Sequence, residues 1–136
     1  MERRDKVALI QHRLITAKDD LESAHILLEA GKYRRAIGSA YYTIFHVASA
    51  VLLWHDQERA KHSGVESTFA QLVIKSGKIE PEFGRIYSRA RRERERADYD
   101  VLASPPTAEE AQQILADAER FVIRMEQYLR EVGALS

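Results

Sequence analysis

The sequence predicts an all-α protein, an antiparallel up-down bundle of four long helices with a short extra helix between the second and third. Apolar residues recur at spacings of three and four along most of the chain, and no segment alternates at period two. Glycine and proline divide the chain at Gly31, Gly77, Pro81 and Ser104-Pro105-Pro106. With 136 residues, the chain is long enough for one domain, residues 1–136, with its own core.

The first two helices are predicted from continuous apolar stripes. The first stripe covers about 25 residues as one narrow seam and stops before Gly31, which suits the position after a helix. The second helix is predicted from about Tyr33 to Trp54, followed by a polar connection over residues 55–62. The seam of the first helix consists of Val7, Ile10, Leu14, Ala17, Leu21, Ala24 and Leu28.

The later helices are predicted from their start and stop signals. Ser63 and Glu66 have the spacing of a capping box, which predicts a short helix that starts after Ser63 and ends near Gly77. Pro81 suits the first turn of the next helix, which is expected to run to about Asp100. A second capping box, residues 107–110, opens the last helix, which is expected to stop at Gly133.

Composition excludes several classes of function. The formal net charge is zero, so any attraction for nucleic acid must come from local clusters of charge. Without cysteine, the chain forms no disulfide, zinc–thiolate site or thiol nucleophile. No apolar window is expected to be long enough for a membrane span, and the charged N-terminus does not resemble a signal peptide. We therefore expect a cytoplasmic protein without membrane contact.

Polar side chains interrupt the apolar second helix. Tyr42, His46 and Ser49 form one stripe beside a second stripe that contains Tyr41 and Phe45. Phenol, imidazole and hydroxyl groups in line on a core helix mark a candidate functional site. The alternative is a core helix whose Tyr and His side chains find hydrogen-bond partners inside the bundle.

The fourth predicted helix carries an arginine row. Arg85, Arg89, Arg92 and Arg96 have spacings of four, three and four residues, with Tyr99 at the end, and point away from the core stripe. Three interpretations stay open: a solvated face with i,i+4 pairs such as Arg89–Glu93, a phosphate-binding row, or a subunit interface. Asp98 lies near the helix C-terminus, where the helix dipole disfavours a carboxylate, which favours a functional or compensated position.

Motifs for common cofactors and metals are missing. The chain has no phosphate-loop, dinucleotide or nucleophile-elbow motif, and no pair of histidines at i,i+4 on one helix, so we expect no cofactor and no metal site. His62 is of interest because it precedes a predicted helix start, where backbone N–H groups favour anions. An ordinary exposed loop histidine is the alternative.

Three segments, in order, resemble the HEPN-domain family, and in particular its small stand-alone prokaryotic branch. Residues 39–48, SAYYTIFHVA, are similar to the family's AYYxxFH helix. Residues 61–65, KHSGV, are similar to its KTHxG segment, and residues 92–99 end in ADY like the family's R…ADY ending. The resemblance covers about residues 19–129.

The resemblance implies an all-α, HEPN-like bundle that forms a homodimer and acts on RNA. Active members cut RNA with an Arg and a His four to six residues later. In the toxin branch paired with a minimal nucleotidyltransferase, the motif is R-x4-H-x-Y, and the partner attaches a nucleotide to the Tyr. Laid on this chain, the motif Arg is Arg92 and the motif Tyr is Tyr99, whereas the motif His is replaced by Ala97.

Two explanations of this replacement stay open. In the first, His46 or His62 supplies the imidazole of a metal-independent ribonuclease, with Arg92 and Asp98 as further catalytic candidates. In the second, the protein binds RNA, nucleotide or a protein partner without cutting, as an inactive dimer or scaffold. The expected RNA- or nucleotide-binding residues are Arg85, Arg89, Arg92, Arg96 and Tyr42, and Tyr99 is the expected modification site.

Overall fold

The computed structural model describes residues 1–136 and is entirely helical, which confirms the predicted fold class. The elements are α1 Arg3–Glu29, α2 Tyr33–Trp54, α3 His62–Phe69, a π-helical turn Ala70–Ile74, α4 Pro81–Tyr99 and α5 Ala108–Glu131. Helices α1 and α2 form a hairpin, and the short helix α3 with the π-helical turn connects them to α4 and α5.

Most helix ends lie where the sequence predicts them. Gly31 adopts a positive φ of 77° in the tight α1–α2 turn, a conformation that favours glycine. Pro81 begins α4. The Thr107 hydroxyl accepts a hydrogen bond from the Glu110 backbone N–H at 3.1 Å, which caps α5.

The predicted capping box at Ser63 is wrong. Helix α3 begins two residues earlier, at His62 instead of Gly64, and its N-cap residue is Lys61, which makes no side-chain capping bond. The His62 ring stacks on Phe45 of α2, with ring centroids 4.1 Å apart. We attribute the start of α3 to this tertiary contact, which overrides the local signal.

Side-chain pairs show how the helices run. Arg34 contacts Asp98, and eight residues further along α2 Tyr42 contacts Arg94, so α2 and α4 are antiparallel. Helix α2 lies at the centre of the bundle, and thirteen of its 22 residues are buried. Helix α5 runs antiparallel to α1 and α4, as shown by the pairs Lys18–Glu126, Arg3–Gly133, Arg96–Glu110 and Arg124–Glu80.

The expectation that no apolar window is long enough for a membrane span is wrong for helix α2. By length and composition it is able to cross a membrane, with a mean hydropathy of 1.5 over its most apolar window. Within that window, 72% of the residues are buried inside the bundle. Packing against the other helices therefore accounts for its apolar character, as in other central core helices.

Candidate functional site

An aromatic cluster forms where the middle of α2 meets the start of α3. It consists of Tyr41, Tyr42, Phe45 and His62. Besides stacking on Phe45, the His62 ring lies edge-to-face with Tyr42 at 5.5 Å between ring centroids. The Tyr41 hydroxyl lies 3.2 Å from Nδ1 of His62, within hydrogen-bonding distance. The cluster therefore fixes one imidazole against two phenols and a phenyl ring.

Arg94 of α4 completes this cluster, although the arginine row does not include it. Its guanidinium carbon lies 5.1 Å from the centre of the Tyr41 ring and 5.3 Å from that of Tyr42, which are cation–π distances. It also lies 5.9 Å from the Tyr99 ring centre. The Arg94 side chain is only 18% exposed. It is thus the guanidinium that links α4 to the aromatic cluster.

Asp98 is held between two arginines. One carboxylate oxygen lies 3.5 Å from Nε of Arg94, and the other accepts a hydrogen bond from Arg34 of α2 at 3.3 Å. These cations compensate the unfavourable position of a carboxylate near a helix C-terminus. The neighbouring Tyr99 is 68% exposed, so its ring is open to solvent while its hydroxyl stays 3.5 Å from Arg94.

Burial and charge shift the pKa values of His62 and Tyr41, the two residues that form the hydrogen bond in the cluster. Burial lowers the pKa of His62 below its ordinary value, and the nearby Arg94 charge lowers it further. Burial also raises the pKa of the Tyr41 hydroxyl to about 12. At neutral pH the phenol therefore keeps its proton, and a neutral His62 can donate its Nδ1–H to the phenol oxygen, which leaves Nε2 free to accept a proton. A neutral imidazole beside a guanidinium is suited to proton transfer next to an anionic group.

His46 lies at the edge of the cluster. Its ring centroid is 6.3 Å from that of Tyr42, and its Nε2 is 3.5 Å from a carboxylate oxygen of Asp20 on α1. Burial lowers the pKa of His46, while the Asp20 carboxylate opposes the shift. Of the two candidate imidazoles, His62 is therefore the one in direct contact with the tyrosines and nearest to Arg94.

The arginine row divides into free and paired members. Arg85, Arg89 and Arg92 are exposed, make no hydrogen bond or ion pair, and line one groove of about 770 Å³, named here the arginine groove. Arg96 instead pairs with Glu93 at 3.1 Å and with Glu110 at 2.7 Å. The predicted Arg89–Glu93 pair is therefore wrong, because Glu93 pairs with Arg96.

The arginine groove shares no lining residue with the aromatic cluster. Its far wall is formed by α5 and includes Gln113, Asp117 and Arg120. Glu82 and Asp117 in this groove are both engaged by Arg120, at 2.7 and 3.6 Å. The charge in the groove that no ion pair compensates is therefore positive and lies on Arg85, Arg89 and Arg92.

The three positions of the R-x4-H-x-Y pattern do not converge within one chain. Arg92 lines the arginine groove, Ala97 lines a groove beside the α1–α2 turn, and Tyr99 lies next to Arg94. No histidine lines the groove that contains Ala97. The structure instead brings Tyr42, Asp98 and Tyr99 to Arg94, places the His62 ring against Tyr42, and leaves His46 at the edge.

Sequence reasoning missed Arg94, although a signal was present. Arg94 lies four residues after Ala90 and seven after Tyr87, and both of these are buried. A helix places these positions on one face, so Arg94 lies on the core stripe of α4 rather than on the outward row. Arg34, which holds Asp98 from α2, had no comparable signal.

The side chains of the site offer acid–base and anion-binding chemistry. Nowhere in residues 1–136 do three His, Cys, Asp or Glu side chains group in a way that could hold a metal ion. The imidazole of His62 and the guanidinium of Arg94 are the groups able to move a proton and to stabilise a phosphate charge. The Tyr42 and Tyr99 rings are able to stack on a base.

Comparisons with known proteins identify the family. The family model described as "HEPN domain" matches residues 10–128. A protein of Methanocaldococcus jannaschii named "Putative toxin MJ0605" is 40% identical over 123 residues, 90% of each chain. A UPF0332 protein of Thermotoga maritima is 33% identical over 98 residues, which cover 72% of this chain and 74% of that protein. By this match over most of its length, the chain belongs to the HEPN-domain family.

Proposed function

We propose that this protein is a toxin-like HEPN protein that acts on RNA, as a cytoplasmic homodimer paired with a nucleotidyltransferase. The observation that carries the proposal is the position of the Arg94 guanidinium, 3.4 and 3.5 Å from the hydroxyls of Tyr42 and Tyr99, with the His62 ring edge-to-face on Tyr42 at 5.5 Å between ring centroids. The M. jannaschii relative named as a toxin supports the toxin-like role.

The geometry supports a metal-independent cleavage in which His62 replaces the motif histidine. Because its pKa is lowered, His62 is neutral at pH 7 and accepts the proton of a ribose 2′-hydroxyl. The 2′-oxygen attacks the adjacent phosphorus and forms a 2′,3′-cyclic phosphate, while the bond from phosphorus to the 5′-oxygen of the next nucleotide breaks. That 5′-oxygen takes a proton from water and leaves as a hydroxyl. Arg94 stabilises the additional negative charge on the phosphate oxygens, and Tyr42 and Tyr99 support the bases.

Cleavage of bulk tRNA, followed on a denaturing gel, tests this function. We expect wild type to cut and His62→Ala to be inactive while keeping its helical circular dichroism spectrum. His46→Ala is the matched control, since it removes an imidazole at the edge of the same cluster, and it should retain most of the activity. If both variants cut as well as wild type, neither histidine is catalytic.

The alternative function is a catalytically inactive HEPN dimer that serves as a binding or scaffold module. Ala97 at the motif His position favours it, as does the pairing of Arg94 with Asp98, which occupies the guanidinium within the protein. This alternative predicts a dimer at dilute concentration in size-exclusion chromatography that does not cut RNA. Its purely structural form also predicts no RNA affinity at physiological salt. RNA binding or cleavage by the purified dimer would rule out the purely structural form.

A further inference from the structure

The outward face of α1 carries a stripe of carboxylates and isoleucines. Its members have spacings of four, three, four and three residues, so they lie on one side of the helix, away from the buried seam. All of them are exposed, and the two isoleucines are 67% and 61% accessible. We name this feature the acidic stripe, and it consists of Ile15, Asp19, Glu22, Ile26 and Glu29.

The negative charge of the acidic stripe has no partner inside the protein. None of its three carboxylates makes a hydrogen bond or an ion pair. The cations beside the stripe on α1 are turned towards α5, where Lys18 pairs with Glu126 at 2.9 Å and His25 pairs with Glu119. Exposed isoleucines in a row with free carboxylates fit a partner surface that is cationic and partly apolar.

The arginine groove presents the opposite charge on α4. Its three free guanidinium groups belong to Arg85, Arg89 and Arg92, and its wall includes the apolar side chains of Ile74 and Ile86. Free cations beside apolar surface match free carboxylates beside isoleucines, and complementary charge of this kind sets register and partner choice at protein interfaces. Two surfaces of the same chain are therefore complementary to each other.

The spacing of the charges also matches. Asp19 and Glu22 are three residues apart on α1, and Arg89 and Arg92 are three residues apart on α4, so each pair spans about 4.5 Å along its helix. Two helices packed side by side therefore bring both carboxylates opposite both guanidinium groups, whichever direction the helices run. Guanidinium–carboxylate pairs of this kind form charge-assisted, often bidentate hydrogen bonds.

The acidic stripe and the arginine groove of one chain cannot meet. Helices α1 and α4 each pack against α2 and α5, so they occupy diagonal corners of the bundle and their outward faces point away from each other. A contact between the two surfaces must therefore join two copies of the chain. Because the surfaces differ, the contact is heterologous and leaves a free stripe and a free groove at its ends, whereas a two-fold dimer uses the same patch on both subunits.

We propose that the acidic stripe of one copy docks into the arginine groove of a second copy. The ion pairs join two carboxylates, Asp19 and Glu22, to two guanidinium groups, Arg89 and Arg92. A docked copy covers these guanidinium groups, so self-association competes with any anionic ligand of the arginine groove. The proposal does not rest on the proposed action on RNA. Exposed ion pairs are individually weak, so association is expected at high protein concentration and low salt.

Sedimentation equilibrium with charge-reversed variants tests this contact. At low salt the average mass of wild type should rise with concentration past twice that of the smallest species, and at high salt it should not. The stripe variant, Asp19→Arg/Glu22→Arg, should lose this association. A control with two other exposed, unpaired carboxylates reversed, Glu2→Arg/Glu131→Arg, changes the net charge equally and should associate like wild type. Circular dichroism checks that each variant keeps its helices.

A combined variant shows whether the two surfaces touch each other. Adding Arg89→Glu/Arg92→Glu to the stripe variant exchanges the charges of the two surfaces and returns the net charge to zero. It should associate again, whereas Arg89→Glu/Arg92→Glu alone should not. A wild type whose mass stays constant up to about 1 mM at low salt overturns the proposal. So does a stripe variant that associates like wild type, or a folded combined variant that does not associate.

Discussion

The free arginines of the arginine groove give a quantitative prediction for RNA binding. Arg85, Arg89 and Arg92 have no carboxylate partner, so each is available to a phosphate. Replacing all three by alanine should weaken RNA binding and flatten its dependence on salt, because fewer counterions are released from the RNA. Arg96 is already neutralised by Glu93 and Glu110, so Arg96→Ala should change the salt dependence less.

The size of the effect follows from the number of free guanidinium groups. Each phosphate contact contributes about 0.7 to the slope of log affinity against log salt for single strands and about 0.9 for duplexes. Three lost contacts would therefore reduce the slope by about 2 to 3. Raising the salt from 50 to 200 mM would therefore weaken RNA binding by the variant about 20- to 40-fold less than it weakens RNA binding by wild type.

Fluorescence anisotropy with labelled tRNA at several salt concentrations measures this slope. The matched control replaces Arg4, Lys32 and Lys75 by alanine, which changes the net charge by the same amount. These three cations are exposed, their side chains make no hydrogen bond or ion pair, and they lie outside the arginine groove. The control should keep a slope near that of wild type. An unchanged slope in the Arg85/Arg89/Arg92 variant, or an equal loss in the control, would refute a specific role of the arginine groove.

Three further predictions concern the aromatic cluster. Arg94→Ala should lower the free energy of unfolding in urea by about 1–2 kcal/mol, because three aromatic rings and Asp98 lose their cation; an unchanged midpoint would contradict this. The pKa of His62 lies below 6.5 in the folded protein, so the unfolded chain binds its proton more tightly and stability should fall as the pH drops below that value. A pKa of 6.5 or above for His62, measured by NMR titration, would contradict it. Intact mass after co-expression with a nucleotidyltransferase should show a nucleotide on wild type and none on Tyr99→Phe, and a modified variant would exclude Tyr99.

The long helices could be predicted because their apolar faces repeat with helical period over many turns. This signal is local and redundant, so a single misplaced residue does not change it. The start of α3 could not be fixed in this way. Its capping signal at Ser63 is weak, and the stacking of His62 on Phe45 depends on how α2 and α3 pack.

The candidate site was harder to predict because its residues come from different helices. The Tyr and His stripe of α2 correctly indicated a polar feature on a core helix, and Asp98 was correctly expected to need compensation. Its partners, Arg34 and Arg94, depend on the packing of α2 against α4, which the chain order does not determine. The outward arginine row was the clearer pattern in the sequence, and Arg94 does not belong to it. The position of Arg94 on the core stripe could be inferred from the burial expected at Ala90 and Tyr87.

We infer that the reactive site is built around Arg94 and not around the motif position Arg92. Digestion of bulk tRNA by wild type, Arg94→Ala and Arg92→Ala should be compared side by side, after intact mass has shown each preparation to be unmodified. We expect Arg94→Ala not to cut at saturating RNA, whereas Arg92→Ala should cut once its weaker binding is overcome. Normal cutting by Arg94→Ala together with an inactive Arg92→Ala would contradict it, and an unmodified wild type that does not cut would favour the binding or scaffold role.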